Sequence, residues 1–249
     1  GYVVVYNDKG QFLWELSIVP EGSRAKNDIY GGLAINKDKL AVTSSFGELL
    51  LISISKRRVD WRYDFKRPFR SAPIFHKGFI FGVTGDDIAV SFDVKGKLRW
   101  TKKGPQKNTK VFAAVSPAAL GNKVLFPFSG GSIVALNAVS GIEEWEINLE
   151  NSNIGSASAS LGDFASDPAV YGSTIFGVGA FGETFSATKS GKVLWRNNIQ
   201  SSSRLVVSGN SAFYSSNNSL IGRINSKNGK IVFLKEFTGK RWIKFHGPL

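Results

Sequence analysis

The chain has 249 residues, 42% of them hydrophobic and 12% aromatic, with 27 glycines against 8 prolines; this excludes a disordered polymer and points to many tight turns between short strands. Its 32 Lys and Arg against 19 Asp and Glu give a formal net charge of +13, a sign that suits anionic partners, yet the basic residues form only short, scattered clusters such as Lys56-Arg57-Arg58, Lys66-Arg67, Lys102-Lys103 and Lys240-Arg241. There is no cysteine, which excludes disulfides, thiolate metal sites and cysteine nucleophiles, and no apolar run reaches the roughly 18 residues of a membrane-spanning helix.

Residues 1–18 read as the last two strands of a unit whose final strand carries Trp14, four residues after Gly10. The opening GYVVVYND lacks the charged-apolar-small order of a signal peptide. Five complete units follow at about 28–65, 66–104, 105–149, 150–199 and 200–237, and residues 243–249 read as the first strand of another. Each unit repeats one order: a strand, a turn, two further strands, then a turn that leads into a strand bearing an aromatic. The first strand is headed by Pro73, Pro117 and Pro168 in three of them, where a missing ladder N–H is tolerated. Gly10, Gly96, Gly141, Gly191 and Gly229 each stand four residues before an aromatic, at Trp14, Trp100, Trp145, Trp195 and Phe233. A sixth copy ends on Trp61 with Arg57 in the glycine's place, and successive aromatics are 47, 39, 45, 50 and 38 residues apart.

A period of this length with four short strands per copy is the mark of a radial repeat, because one such sheet cannot bury both of its faces alone. The expected fold is therefore all-β: a β-propeller of four-stranded antiparallel blades, one domain over 1–249, cut within a blade at both ends and drawn from a molecule of roughly six to eight blades. The recurrent aromatic is expected to fill the wedge between neighbouring blades.

Motifs of catalysis are weak against this background. Gly177-Val178-Gly179-Ala180-Phe181-Gly182 fits the dinucleotide spacing, but it lies between strands with no helix to follow and reads as a hairpin. His76 and His246 are the only histidines and have no metal-ligand spacing. Asp86-Asp87 follows Gly85 and reads as a turn closed by its own side chains, Ser201-Ser202-Ser203 as a loop outside any nucleophile elbow, and Asn217-Asn218-Ser219 as a turn that happens to match a glycosylation sequon. No nucleic-acid-binding module or basic-aromatic platform is visible, so no nucleic-acid partner is expected.

The run Ala135-Leu136-Asn137-Ala138-Val139-Ser140-Gly141-Ile142-Glu143-Glu144-Trp145 resembles the A-x-D-x-x-T-G-x-x-x-W signature of propellers related to the pyrroloquinoline quinone dehydrogenases, with Asn137 for the Asp and Ser140 for the Thr. Related versions precede Trp100 and Trp195. Within that superfamily, the succession of SGIEEWEINL, a loop of about 15 residues, LGDFASDPAVYGSTIFG and GKVLW resembles the outer-membrane-protein assembly lipoprotein family BamB. The resemblance implies a noncatalytic, periplasmic scaffold that assists insertion of β-barrel proteins into the bacterial outer membrane. Its implied partner is the barrel-inserting protein BamA, and its implied membrane association is a lipid on an N-terminal cysteine outside this chain.

In that family one partner-binding segment opens a blade after a long loop. Asp163 and Pro168 match its Asp and Pro, while Ala165 replaces a second Asp. The other segment corresponds to Thr109-Lys110-Val111-Phe112, which keeps the apolar character but lacks the family's Arg. Loops near 105–117 and 150–168, with Asp163, Val111 and Phe112, are thus the expected partner contacts, and no cofactor or metal is expected. The alternative is a quinoprotein dehydrogenase. It needs inward-facing carboxylates and amides for calcium and a cation at the quinone.

Overall fold

A computed structural model describes residues 1–20, 22, 31–69, 71–105, 114–149, 163–179, 183–199, 201, 203–216 and 219–237, and none of these is helical. The chain opens with a two-stranded hairpin, β1 (Tyr2–Tyr6) and β2 (Phe12–Ser17). Five four-stranded antiparallel sheets follow. The first holds β3 (Gly31–Asn36), β4 (Lys39–Ser44), β5 (Glu48–Ser53) and β6 (Arg58–Asp64), and the second β7 (Ile74–His76), β8 (Phe79–Val83), β9 (Ile88–Asp93) and β10 (Leu98–Lys103). The third holds β11 (Ala118–Leu120), β12 (Lys123–Phe128), β13 (Ser132–Asn137) and β14 (Glu143–Asn148). The fourth holds β15 (Ala169–Tyr171), β16 (Thr174–Val178), β17 (Glu183–Thr188) and β18 (Val193–Asn198), and the fifth β19 (Val206–Ser208), β20 (Ser211–Ser215), β21 (Leu220–Asn225) and β22 (Ile231–Glu236).

Strands pair strictly in chain order within each sheet, and the first strands β3, β7, β11, β15 and β19 approach one another in succession. That is the radial blade arrangement of the β-propeller. Pro73, Pro117 and Pro168 each stand one residue before a first strand, where no ladder N–H is called for. Five apolar clusters make up the core, and each joins one sheet to the next rather than filling a sheet of its own. This explains the two strand patterns. β4, β5, β12 and β13 are buried on both faces and read as near-continuous apolar runs, whereas the outer strand β6 alternates strictly. Period-2 alternation is thus clear in outer strands such as β6 and β10 and absent from the central strands β4, β5, β12 and β13.

The repeated glycine has a second purpose that spacing alone does not reveal. A Cβ on Gly96, Gly141, Gly191 or Gly229 would lie 2.7–2.8 Å from the ring of Trp61, Trp100, Trp145 or Trp195 respectively. Each of these tryptophans belongs to the preceding blade. Each donates its indole N–H into the same turn: Trp61 to Val94 O, Trp100 to Ala138 O, Trp145 to Lys189 O and Trp195 to Ser226 O, at 2.9–3.2 Å. The wedge aromatic is therefore seated on the next blade's glycine and hydrogen-bonded to its backbone. Every pairing of a third with a fourth strand also carries a register shift beside the aromatic, a bulge that turns the outer strand toward its neighbour. Gly10 has the same conformation, φ +75°, but nothing within 4 Å of its Cβ position. At the other end, Ile231, Val232, Phe233 and Leu234 of β22 are all about half exposed.

Candidate functional site

Because alternate strands run in opposite directions, the turns from first to second and from third to fourth strand emerge at one end of the propeller, the hairpin face. The second-to-third turns and the connections between sheets emerge at the other, the loop face. The described stems of both expected partner loops lie on the loop face. Val111 and Phe112 fall outside the described residues, but the stems of both loops, 114–117 and 163–168, are defined.

The two stems are packed together. Val115 and Phe164 share the core cluster between the third and fourth sheets with Leu120 and Phe185. Phe164 bridges Gly179 as an extra half-strand, and the N–H of Ala165 donates to Val178 O at 2.8 Å. Asp163 directly precedes this anchor and is only 4% exposed; its Oδ1 accepts the backbone N–H of Phe164 at 2.8 Å. A carboxylate so placed fixes the direction in which the loop enters the core.

Asp167, which sequence reasoning did not single out, makes the connection between the two stems. Its Oδ1 accepts the N–H of Ser116 at 2.6 Å. Burial pushes its carboxyl above the usual carboxylate range, against the opposing pull of the Ser116 contact and the charge of Arg204. The available signal was its place immediately before Pro168, where the side chain of a residue held extended by the proline can reach sideways.

Asp87 makes a comparable link one sheet earlier. It takes the left-handed conformation, φ 66°, and its Oδ1 accepts the N–H of Ser129 in the third sheet at 2.9 Å. The expectation that Asp86-Asp87 closes its own turn thus needs correction at Asp87, whose backbone conformation swings the carboxylate across to the next blade. For Asp86, burial raises the carboxyl's affinity for its proton, but the Thr84 hydroxyl and the Arg67 guanidinium outweigh it and hold the carboxyl below its usual range.

Ser71, Thr84, Asp87, Ser129, Val115 and Asp163 line a cavity of about 30 Å³ where three blades meet at the loop face. That is room for one or two waters. A larger cleft of about 330 Å³ lies beside β1 and β3 and is lined by Gly1, Tyr2, Val3, Ile18, Gly31, Gly32, Leu33, Val42 and Thr43. It offers no carboxylate, amide or cationic side chain. Among the described residues no group of three His, Cys, Asp or Glu could hold a metal ion. Neither of these two spaces fits pyrroloquinoline quinone with calcium, which needs a cavity of several hundred Å³ with charged partners in it.

A family model described as outer membrane protein assembly factor BamB matches residues 1–234. The outer membrane protein assembly factor BamB of Bordetella pertussis is 21% identical over 232 residues, covering 86% of this chain and 60% of that protein. An uncharacterized protein of Rickettsia conorii is 21% identical over 237 residues, covering 92% of this chain and 56% of its own length. The chain thus spans less than two thirds of the curated relatives it matches. Among solved structures, BamB from Moraxella catarrhalis superposes with a TM-score of 0.84 at 17% identity, over 97% of this chain and 72% of that one. The quinohemoprotein alcohol dehydrogenase from Comamonas testosteroni gives 0.70 at 14% identity, over 85% and 43%. Both of these structural likenesses are of fold alone.

Proposed function

Because the chain belongs to the family of the outer membrane protein assembly factor BamB, we propose that it is a noncatalytic scaffold that holds a barrel-inserting, BamA-like partner in the periplasm at the outer membrane. The observation that carries this reading is the Asp167–Ser116 hydrogen bond together with the shared packing of Val115 and Phe164, which makes one rigid platform of the two loop stems. A rigid propeller that presents paired loops is suited to holding a protein partner.

The test is capture of the purified periplasmic domains of the BamA-like protein by this chain. Saturable binding that is lost when the 150–162 loop is replaced by a short Gly-Ser linker supports the reading; binding unaffected by that replacement removes the loop face from it. A quinoprotein enzyme predicts instead saturable uptake of pyrroloquinoline quinone with calcium, and such uptake would overturn the scaffold reading.

A further inference from the structure

The basic residues that look dispersed in the sequence converge in space, because turns recur at a fixed point of the repeat. In the first three four-stranded sheets the third-to-fourth turns carry Lys56 and Arg57, then Lys95 and Lys97, then no charge at all. The fourth and fifth sheets carry Lys189 with Lys192 and Lys227 with Lys230, and the opening hairpin carries Lys9. All of these are exposed. With Lys37 and Lys77 in first-to-second turns, the turns of the hairpin face hold eleven cations against two carboxylates, Asp8 and Asp38; the carboxylates at the strand ends beside them, Asp60, Asp93, Glu143 and Glu144, are ion-paired with Lys39, Arg99, Lys102 and Lys123. Most of the chain's net charge of +13 therefore sits on one face. Asp38 is already engaged, accepting from Ser53 Oγ at 2.9 Å and from the N–H of Ser55 at 2.7 Å.

Neighbouring turns also touch, so the charges are held as a surface rather than on separate stalks. His76 Nε2 lies 2.8 Å from Gly121 O, Lys77 reaches Asn122, and the N–H of Gly209 donates to the Tyr171 hydroxyl at 3.1 Å. The one uncharged third-to-fourth turn instead exposes aliphatic tips, Val139 at 60% and Ile142 at 67%. We propose that the hairpin face docks on an anionic phospholipid surface, with the lysine ring over the headgroups and the Val139–Ile142 tip dipping among them. A cationic ring with short aliphatic tips is the chemistry of interfacial anchoring. Nucleic acid calls for exposed rings on which bases stack; Trp61, Trp100, Trp145 and Trp195 are laid on glycines, and the exposed rings of this face, Tyr6, Phe12 and Tyr171, belong to the opening hairpin and the fourth sheet rather than to the Lys95–Lys97 or Val139–Ile142 turns. This inference rests on the charge distribution and not on the partner-binding role, so each can fail without the other.

The test is co-sedimentation of the 249-residue chain with phosphatidylcholine vesicles, with and without about a third phosphatidylglycerol. Binding is expected only to the anionic vesicles and is expected to fall with added salt. Removing Lys95, Lys97 and Lys192 together as glutamines is expected to lower vesicle affinity about a hundredfold, at about fivefold per lysine. Removing three loop-face cations, Lys66, Lys103 and Arg204, takes away the same charge and is expected to cost far less. Ile142→Cys in this cysteine-free chain, labelled with an environment-sensitive dye, is expected to shift its emission to the blue on anionic vesicles, whereas Lys66→Cys labelled in the same way is not. Equal losses from the two triple variants, equal binding to neutral vesicles, or no emission shift at 142 would each overturn the proposal. So would tighter binding to a short RNA that is insensitive to Ile142→Ser.

Discussion

The carboxylate of Asp167 accepts the backbone N–H of Ser116 at 2.6 Å and so fastens the end of one loop to the end of another some fifty residues away. The contact crosses from the fourth blade to the third on the loop face, between the described stems of the two expected partner loops. It comes at a cost, because a carboxylate held there is partly stripped of water.

That cost makes Asp167 a source of pH dependence. Its folded-state pKa is raised above its ordinary value, chiefly by burial. Folding therefore favours the protonated form, and the contribution to stability is fully present below the unfolded pKa and lost as pH rises through the folded one. Asp167→Asn keeps an oxygen to accept from Ser116 and removes the ionisation. Its unfolding midpoint relative to the parent is expected to improve steadily from about pH 3 to about pH 7. Urea titrations at the two ends check this, and a difference that does not change with pH contradicts it.

The aromatic seats give a contrast between equivalent positions. Gly96 and Gly10 both have positive φ, +87° and +75°, but a Cβ at 96 meets Trp61 at 2.8 Å whereas at 10 it meets nothing within 4 Å. Gly10→Ala is expected to cost only the backbone strain, about 1–2 kcal/mol. Gly96→Ala adds overpacking of about 1–3 kcal/mol. Thermal unfolding of the two variants measures the gap, and equal losses would mean that the ring moves aside freely.

Arg62 and Glu48 supply a third case. The guanidinium Nη1 of Arg62 lies 3.0 and 2.9 Å from the two carboxylate oxygens of Glu48, whose side chain is only 6% exposed. Removing the cation strands a buried carboxylate. Arg62→Met is expected to destabilise by about 2 kcal/mol, and adding Glu48→Gln to recover part of the loss. Denaturant midpoints of the single and double variants decide it; a double variant weaker than Arg62→Met alone contradicts the account.

What was legible in the sequence followed the repeat. Gly at one position and an aromatic four residues later recur often enough to give the blades, their order and the wedge role of Trp100 or Trp195. The pairing partner was not legible. The glycine under Trp100 is Gly141, which lies in the next repeat, and no spacing within one repeat points there. The basic face was hidden for the same reason, since Lys95 and Lys192 are far apart in the chain and share a surface only once the blades are stacked. At the loop face the resemblance pointed to Asp163, but its burial depends on Phe164 entering a core built by two blades. Asp167 is held by a contact to Ser116 that exists only in three dimensions.

Asp163 itself poses a choice between touching a partner and positioning the loop that does. The residue is only 4% exposed and its carboxylate accepts the N–H of Phe164, so the geometry favours positioning. The two roles separate under substitution. Asp163→Asn retains an acceptor oxygen and removes the charge, and is expected to leave capture of the BamA-like periplasmic domains within about twofold of the parent. Asp163→Ala removes the acceptor, frees the stem and is expected to weaken capture about fivefold, the equivalent of one lost hydrogen bond of about 1 kcal/mol. Asp163→Arg cannot be housed beside Phe164 and is expected to abolish capture while shifting the amide signals of Val115 and Ser116 along with its own. If Asn weakens capture as much as Ala does, the charge itself faces the partner and the positioning role is wrong.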